Sequence, residues 1–285
     1  MSRSAAAHDM SDAAIHTSSA DPLAPLRAQL AASHPPCDVR WVPVTGSTNA
    51  DLLAEARAGR LDGPTLLATG QQTAGRGRQG RPWADDADSS VLCSLAWPDP
   101  RKRDAGPLSL AVGVWLAQAL HALGAPSVRL KWPNDLLLPA PDTASGWRKL
   151  GGILVELAET AQARWAVIGF GLNLRTPPDL PQAAGLDACG LAIDRTQALA
   201  VLAPALLNGL QGGSRSLDAA LAQWPALHAW AGCPVAVQDG GRTLFSGTAL
   251  GLAADGALRV LTPQGERLVH SADVSLRLAP DAAAK

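Results

Sequence analysis

Residues 128–174 read "VRLKWPNDLLLPAPDTASGWRKLGGILVELAETAQARWAVIGFGLNL". Four runs of strand character, VRLKWP, DLLL, LGGILVELAE and RWAVIGFGLNL, follow one another with few helical spacings between them. Such clustering predicts an antiparallel or mixed sheet, and with it an α+β fold. Upstream, VRWVPV (39–44), TLLAT (65–69) and SVLCSLAW (90–97) read as further strands. The segment GSTNADLLAEARAGR offers Ser47, Thr48 or Asn49 as the N-cap of a short helix ending near Gly59. A longer helix is expected from about Leu108 to Leu123. Downstream, two helices run from Thr196 to about Trp230, broken at Gly212 and Gly213. After Gly232 the pattern changes to short alternating strands separated by DGG, ADG and PQG turns, which predicts a small β-barrel. The expected organisation is a disordered or helical lead-in over 1–38, a main domain over 39–231 and the barrel over 232–285.

Composition narrows the class. With 285 residues, 47% hydrophobic and 17% charged, the chain is long enough to bury a substantial core. Its most apolar stretch, from Leu108, is interrupted by Gln118 and His121 and reads as a packed helix, so no membrane partner is expected. The first residues lack an apolar secretory core, so a cytoplasmic location is expected. Cys37, Cys93, Cys189 and Cys233 lie far apart without a Cys-x-x-Cys spacing, which signals neither zinc nor disulfides, and no metal-ligand set stands out. The histidines fall outside the glycine-rich and charged clusters. Lysine occurs only at Lys102, Lys131, Lys149 and Lys285, so its placement carries information.

The segment TAGRGRQGRPW (73–83) gathers Arg76, Arg78 and Arg81 in a protein of net charge -1. Like charges so close are tolerated on an open solvated loop or facing an anion. Gly75, Gly77 and Gly80 favour the anion, because they let backbone approach a ligand. Gly75 to Gly80 also matches G-x-G-x-x-G, but Pro82, Trp83 and an acidic stretch follow where a Rossmann turn would open a helix. No P-loop motif is present, so phosphate would be held by guanidinium groups and loop amides. KWPND (131–135) sets Lys131, Asn134 and Asp135 on one turn, chemistry suited to phosphate, a polar ligand, and Mg²⁺ or an amine. RKLGGILVE brings Lys149 into a strand through Gly151 and Gly152, and GFGLNL places Asn173 after two glycines. Each alone reads as structural. Together they predict a ligand site.

In this order, GSTN, QQTAGRGRQGRPW, KWPND, KLGGILVE and GFGLNL resemble the catalytic domain of biotin protein ligases, and the terminal segment resembles that family's SH3-like barrel. The resemblance spans about residues 40 to 280. It implies the mixed-sheet fold shared with class II aminoacyl-tRNA synthetases. It also implies biotin and ATP as substrates with Mg²⁺, a biotinyl-5'-adenylate intermediate, and transfer to a lysine of a biotin carboxyl carrier domain. Ser47, Thr48, Asn49, Gln72 and Gly152 would then line the biotin pocket, with Arg76, Gly77 and Arg78 closing over biotin and the adenylate phosphate. Lys149 would touch the biotin carboxylate and the phosphate, Lys131 would hold ATP phosphate, and Trp83 would stack on adenine. Asn134 and Asn173 would bind the adenylate, and Asp135 would orient the acceptor amine; Lys149, Arg78 and Asp135 form the expected catalytic set. A monomer or weak homodimer is expected. The rivals are a lipoate or octanoate ligase, and a biotin-sensing DNA-binding repressor. Residues 1–38 show no pair of helices and only Arg3 and Arg27 as arginine or lysine, so a ligase without nucleic acid as a partner is expected.

Overall fold

Seven strands make one mixed sheet in the order β1-β2-β3-β7-β6-β5-β4. They are β1 (Asp38–Thr45), β2 (Thr65–Gln72), β3 (Ser90–Pro98), β4 (Arg129–Lys131), β5 (Asp135–Pro139), β6 (Trp147–Glu159) and β7 (Arg164–Asn173). The computed structural model describes residues 21–33, 35–83, 89–99, 104–161, 163–270 and 274–279. Expectations for residues 1–20 and 280–285 lie outside that range. Helix α1 (Ala24–Ala31) precedes the sheet; only β1 and β2 run parallel, joined by α2 (Thr48–Arg57), whose length provides the crossover a parallel pair needs. The other neighbours in this sheet are antiparallel.

The two faces of the sheet differ because side chains alternate along a strand. On one face Val91, Cys93, Leu95, Ile153, Ile168, Phe170 and Leu172 meet α3 (Ala105–Ala122) and α4 (Arg195–Gln211) in the main core. By length and composition α3 would span a membrane, but most of it is buried in this core. On the other face α2 covers Ala96, Ala158, Trp165 and Val167 through Leu52, Leu53 and Ala56. Beyond the first turn of α2 that face changes chemistry. The residues there are Ser94, Gly152, Leu154, Gly169 and Gly171, and the face opens into a cavity.

The C-terminal segment forms a five-stranded antiparallel sheet, β11-β10-β9-β8-β12. Its strands are β8 (Pro234–Asp239), β9 (Arg242–Leu252), β10 (Leu258–Thr262), β11 (Gly265–Val269) and β12 (Val274–Leu278). Two links join the main sheet to this segment and to the stretch that leads into it. Trp132 donates its indole N–H to the Gly256 carbonyl at 3.2 Å, and Ala229 N–H donates to the Leu130 carbonyl at 2.8 Å. Gly256 adopts φ +81, a conformation that favours glycine, while facing Leu110 and Pro107 of α3.

His228 follows α5 (Gly213–Leu227) and is buried beside Trp224, with ring centroids 4.5 Å apart. Neither ring nitrogen has a hydrogen-bond partner, and burial pulls the imidazole from 6.5 down to about 4. The unfolded chain therefore takes up a proton here near pH 6.5, whereas the folded chain resists until about pH 4. Stability is fully present above that window and falls as pH drops through it, by up to about 3 kcal/mol. Urea unfolding across the window is expected to show this loss, and His228→Phe is expected to reduce it. Equal losses in both proteins would exclude the histidine as the cause.

Candidate active site

The cavity has a volume of about 850 Å³ and is floored by rows of the sheet. Strand register sets these rows. Leu92, Gly171, Gly152, Asp135 and Lys131 are successive cross-strand partners, and so are Ser94, Gly169 and Leu154. Glycine makes the floor low enough to be occupied. A Cβ at Gly171 would lie 2.6 Å from the Trp83 ring, and one at Gly169 would lie 2.4 Å from Asn49 Oδ1.

Lys149 reaches this face through an irregularity. Alternation counted back from Gly152 would turn Lys149 towards the core. Instead Leu136 pairs with Gly151 while Leu137 pairs with Lys149, leaving Leu150 as an extra residue in β6. This β-bulge sends Leu150 into the core and aims Lys149 at the cavity.

One end of the cavity is neutral and polar. Ser47, Thr48 and Asn49 at the start of α2 are buried, and Ser47 makes no capping bond with its side chain. Thr48 N–H donates to Gln72 Oε1 at 2.9 Å, Thr48 Oγ1 meets Ser94 Oγ at 2.7 Å, and Ser94 donates to Asn49 Oδ1 at 2.8 Å. Asn49 Nδ2 donates to Glu156 Oε2 at 2.8 Å. These hydroxyls and amides suit an uncharged polar ring.

At the other end stands a charged row. Asp135 accepts from Lys149 Nζ at 2.7 Å through Oδ1 and from Lys131 Nζ at 3.0 Å through Oδ2. Each ammonium also lies over an indole: Lys131 is 4.9 Å from the Trp230 ring centroid and Lys149 is 5.3 Å from that of Trp83. Burial pushes the Asp135 carboxyl up, but Lys131 and Lys149 outweigh it and hold the group well below the usual carboxylate range. Burial draws Lys131 below the ordinary lysine range despite Asp135.

The arginine turn is a small closed hairpin. Gly77 N–H donates to the Arg81 carbonyl at 2.7 Å and Trp83 N–H to the Gly75 carbonyl at 2.9 Å. Gln79 and Gly80 both have positive φ at its tip. Arg76, Gly77, Arg78 and Arg81 all line the cavity. With Lys131, Lys149 and Arg277 from β12 the lining carries six cationic side chains, and Asp135 is its only carboxylate among the described residues. That surplus attracts an anion.

Almost every residue singled out from the sequence comes to this one cavity: Ser47, Thr48, Asn49, Gln72, Arg76, Gly77, Arg78, Trp83, Lys131, Asn134, Asp135, Lys149 and Gly152 line it. Asn134 does so while donating to the Ile153 carbonyl at 2.8 Å. Asn173 is the exception. It is buried outside the lining and donates to the Ala184 carbonyl at 3.1 Å, tying β7 to a neighbouring loop. Trp83 lines the cavity with its ring above Gly152 and Gly171, next to Lys149, and its Nε1 unpartnered. Ser94, Glu156, Trp230 and Arg277 were missed. A lone serine inside SVLCSLAW was a usable signal for the first, but nothing local marks Arg277 as facing this cavity.

Comparison with known proteins finds two family models. "Biotin/lipoate A/B protein ligase family" matches residues 41–173, and "Biotin protein ligase C terminal domain" matches 232–277. The bifunctional ligase/repressor BirA of Salmonella typhimurium is 35% identical over 233 residues, covering 78% of this chain and 68% of the relative. The biotin acetyl-CoA-carboxylase ligase of Paracoccus denitrificans is 31% identical over 242 residues, covering 81% and 97%. Among solved structures, the biotin protein ligase of Aquifex aeolicus in complex with biotin and ATP superposes with a TM-score of 0.72 at 23% identity, covering 85% of this chain and 99% of that one. This last likeness establishes the fold.

Proposed function

As this chain belongs to the biotin/lipoate A/B protein ligase family, we propose that its cavity activates biotin as biotinyl-5'-AMP and passes it to a lysine of a biotin carboxyl carrier domain. The protein is an ATP-dependent biotin ligase. What carries the reading at the level of residues is the joining, in one cavity, of a neutral hydroxyl and amide pocket to the Lys131–Asp135–Lys149 row under the arginine turn.

In the first step the biotin carboxylate attacks the α-phosphorus of ATP and pyrophosphate leaves. Two anions must meet, so cations aimed at the developing charge lower the barrier. Lys149, on Asp135 and beside Trp83, is assigned to the biotin carboxylate and the α-phosphate. Lys131, Arg76 and Arg78 serve the phosphates, with Arg277 added from β12. Mg²⁺ is read as part of the MgATP substrate. Among the described residues both Asp135 oxygens are already on ammonium groups and no cluster of metal-binding side chains stands ready to hold the ion. In the second step the acceptor amine attacks the acyl carbon and AMP leaves. Asp135, held in its carboxylate form, is a weak base, so its role is to orient the lysines and the incoming amine. Trp83 is assigned to the point where biotin and nucleotide meet, and Asn134 to the adenylate.

Incubating the protein with biotin, ATP, Mg²⁺ and a carrier domain, then weighing the carrier, is expected to show the addition of one biotinyl group. An unchanged mass would overturn the reading. A lipoate ligase is disfavoured by the four-residue polar chain at the neutral end, because a dithiolane ring has no N–H to offer it. The reading places the protein in the cytoplasm as a monomer or weak dimer, without nucleic acid as a partner. Mobility-shift assays on biotin-synthesis promoter fragments with saturating biotin and ATP are expected to show no specific complex. A salt-sensitive, biotin-dependent shift would restore the repressor reading.

A further inference from the structure

Glu156 lies on β6 in the row of Val167 and Ala96, beyond the glycine floor, and does not line the cavity. Its Oε2 nevertheless accepts from Asn49 Nδ2 at 2.8 Å. An asparagine amide has two orientations that exchange donor and acceptor, whereas a carboxylate oxygen only accepts. The Leu154 carbonyl lies on the same side at 3.4 Å, so two acceptors fix Nδ2 there and turn Oδ1 towards Ser94. Each hydroxyl has one proton, and the rest follows from that. Ser94 gives its proton to Asn49 Oδ1, so the contact between Thr48 Oγ1 and Ser94 Oγ is a donation by Thr48. Thr48 Oγ1, 3.2 Å from Gln72 Oε1, then has only lone pairs to offer the cavity. Two acceptor oxygens side by side at the wall call for a donor on the ligand.

We propose that Glu156 is a positioning residue that sets the hydrogen-bond direction of this relay and thereby selects a ligand carrying N–H groups. The inference rests on the biotin reading, since the ureido ring of biotin supplies two such donors. With Asn49 reversed, Nδ2 would donate to Ser94, Ser94 to Thr48 and Thr48 to Gln72 Oε1. That oxygen would then hold two donors, including the Thr48 backbone N–H, and Thr48 Oγ1 would accept from Ser94, so the wall would offer the ligand fewer lone pairs.

Glu156→Gln keeps the size of the side chain but lets an amide donor face Asn49. In biotin-dependent exchange of pyrophosphate into ATP, E156Q is expected to raise the KM for biotin roughly tenfold, the loss of about one hydrogen bond, with the KM for ATP and kcat nearly unchanged. Ser94→Ala is expected to raise the biotin KM by a similar factor, and the double variant to be no worse than S94A alone, because both act on one relay. An unchanged biotin KM in E156Q, an equal rise in the KM for ATP, or additive losses in the double variant would overturn the proposal. If E156Q fails to fold, an unchanged biotin KM in S94A overturns it. Failure of the wild-type protein to catalyse biotin-dependent exchange would instead overturn the biotin reading beneath it.

Discussion

Lys149→Ala lowers biotin-dependent pyrophosphate release by ~10² to 10³, the usual cost of losing one preorganised donor to a developing charge. Lys149 is the cation that the β6 bulge turns onto the cavity face, where it holds Asp135 Oδ1 at 2.7 Å. The fold should barely notice its loss. Its side chain is 39% exposed, against 14% for Asp135, so truncating it opens no cavity in the core. Lys131 also remains on the other Asp135 oxygen, so no carboxylate is left unpaired. A steady thermal midpoint together with the rate loss is the expected pair of results. Pyrophosphate release within about tenfold of wild type would remove Lys149 from the activation step.

Arg78→Gly is expected to give a leaky enzyme. The hairpin of residues 75–83 is closed by the Gly77–Arg81 and Trp83–Gly75 bonds, both backbone to backbone, and these two bonds do not depend on the Arg78 side chain. What the turn loses is a guanidinium on the cavity lining, a charge-assisted clamp on the adenylate phosphate, while Lys149, Lys131 and Arg76 stay to activate biotin. Biotinyl-adenylate then escapes and acylates lysines of unrelated proteins. Streptavidin blots of a protein mixture incubated with each enzyme measure this directly. Bystander labelling equal to that of wild type would show that Arg78 does not retain the intermediate.

Much of the architecture was legible in one dimension. Runs such as RWAVIGFGLNL carry the period of a strand, and the helix beginning at GSTN was bounded by its polar start and by Gly59. The α+β class followed from strands succeeding one another without helices, and the C-terminal sheet from closely spaced turn residues. The site was legible as chemistry. Scarce lysines, a triple-arginine turn and glycines at strand ends marked the residues, because each is a poor choice for a core or a plain surface.

Geometry was not legible, because it depends on pairing between strands distant in the chain. The sequence by itself determined that Lys149 enters a strand two residues before a glycine pair, but strict alternation from Gly152 would have turned it into the core. Only the bulge at Leu150, a property of the β5–β6 register, turned it into the cavity. The same register put Lys131, Asp135, Gly152 and Gly171 in one row, so that two ammonium groups share one carboxylate. Asn173 went the other way. Its motif placed it beside the glycines, but packing of the loop at Ala184 took up its amide. Arg277 and Trp230 join the site from segments more than 100 residues beyond the arginine turn, and nothing in VSLRL or HAWAG foretells it. Composition and period specify which face of an element is apolar; long-range hydrogen-bond register and the docking of the second sheet decide which polar groups meet.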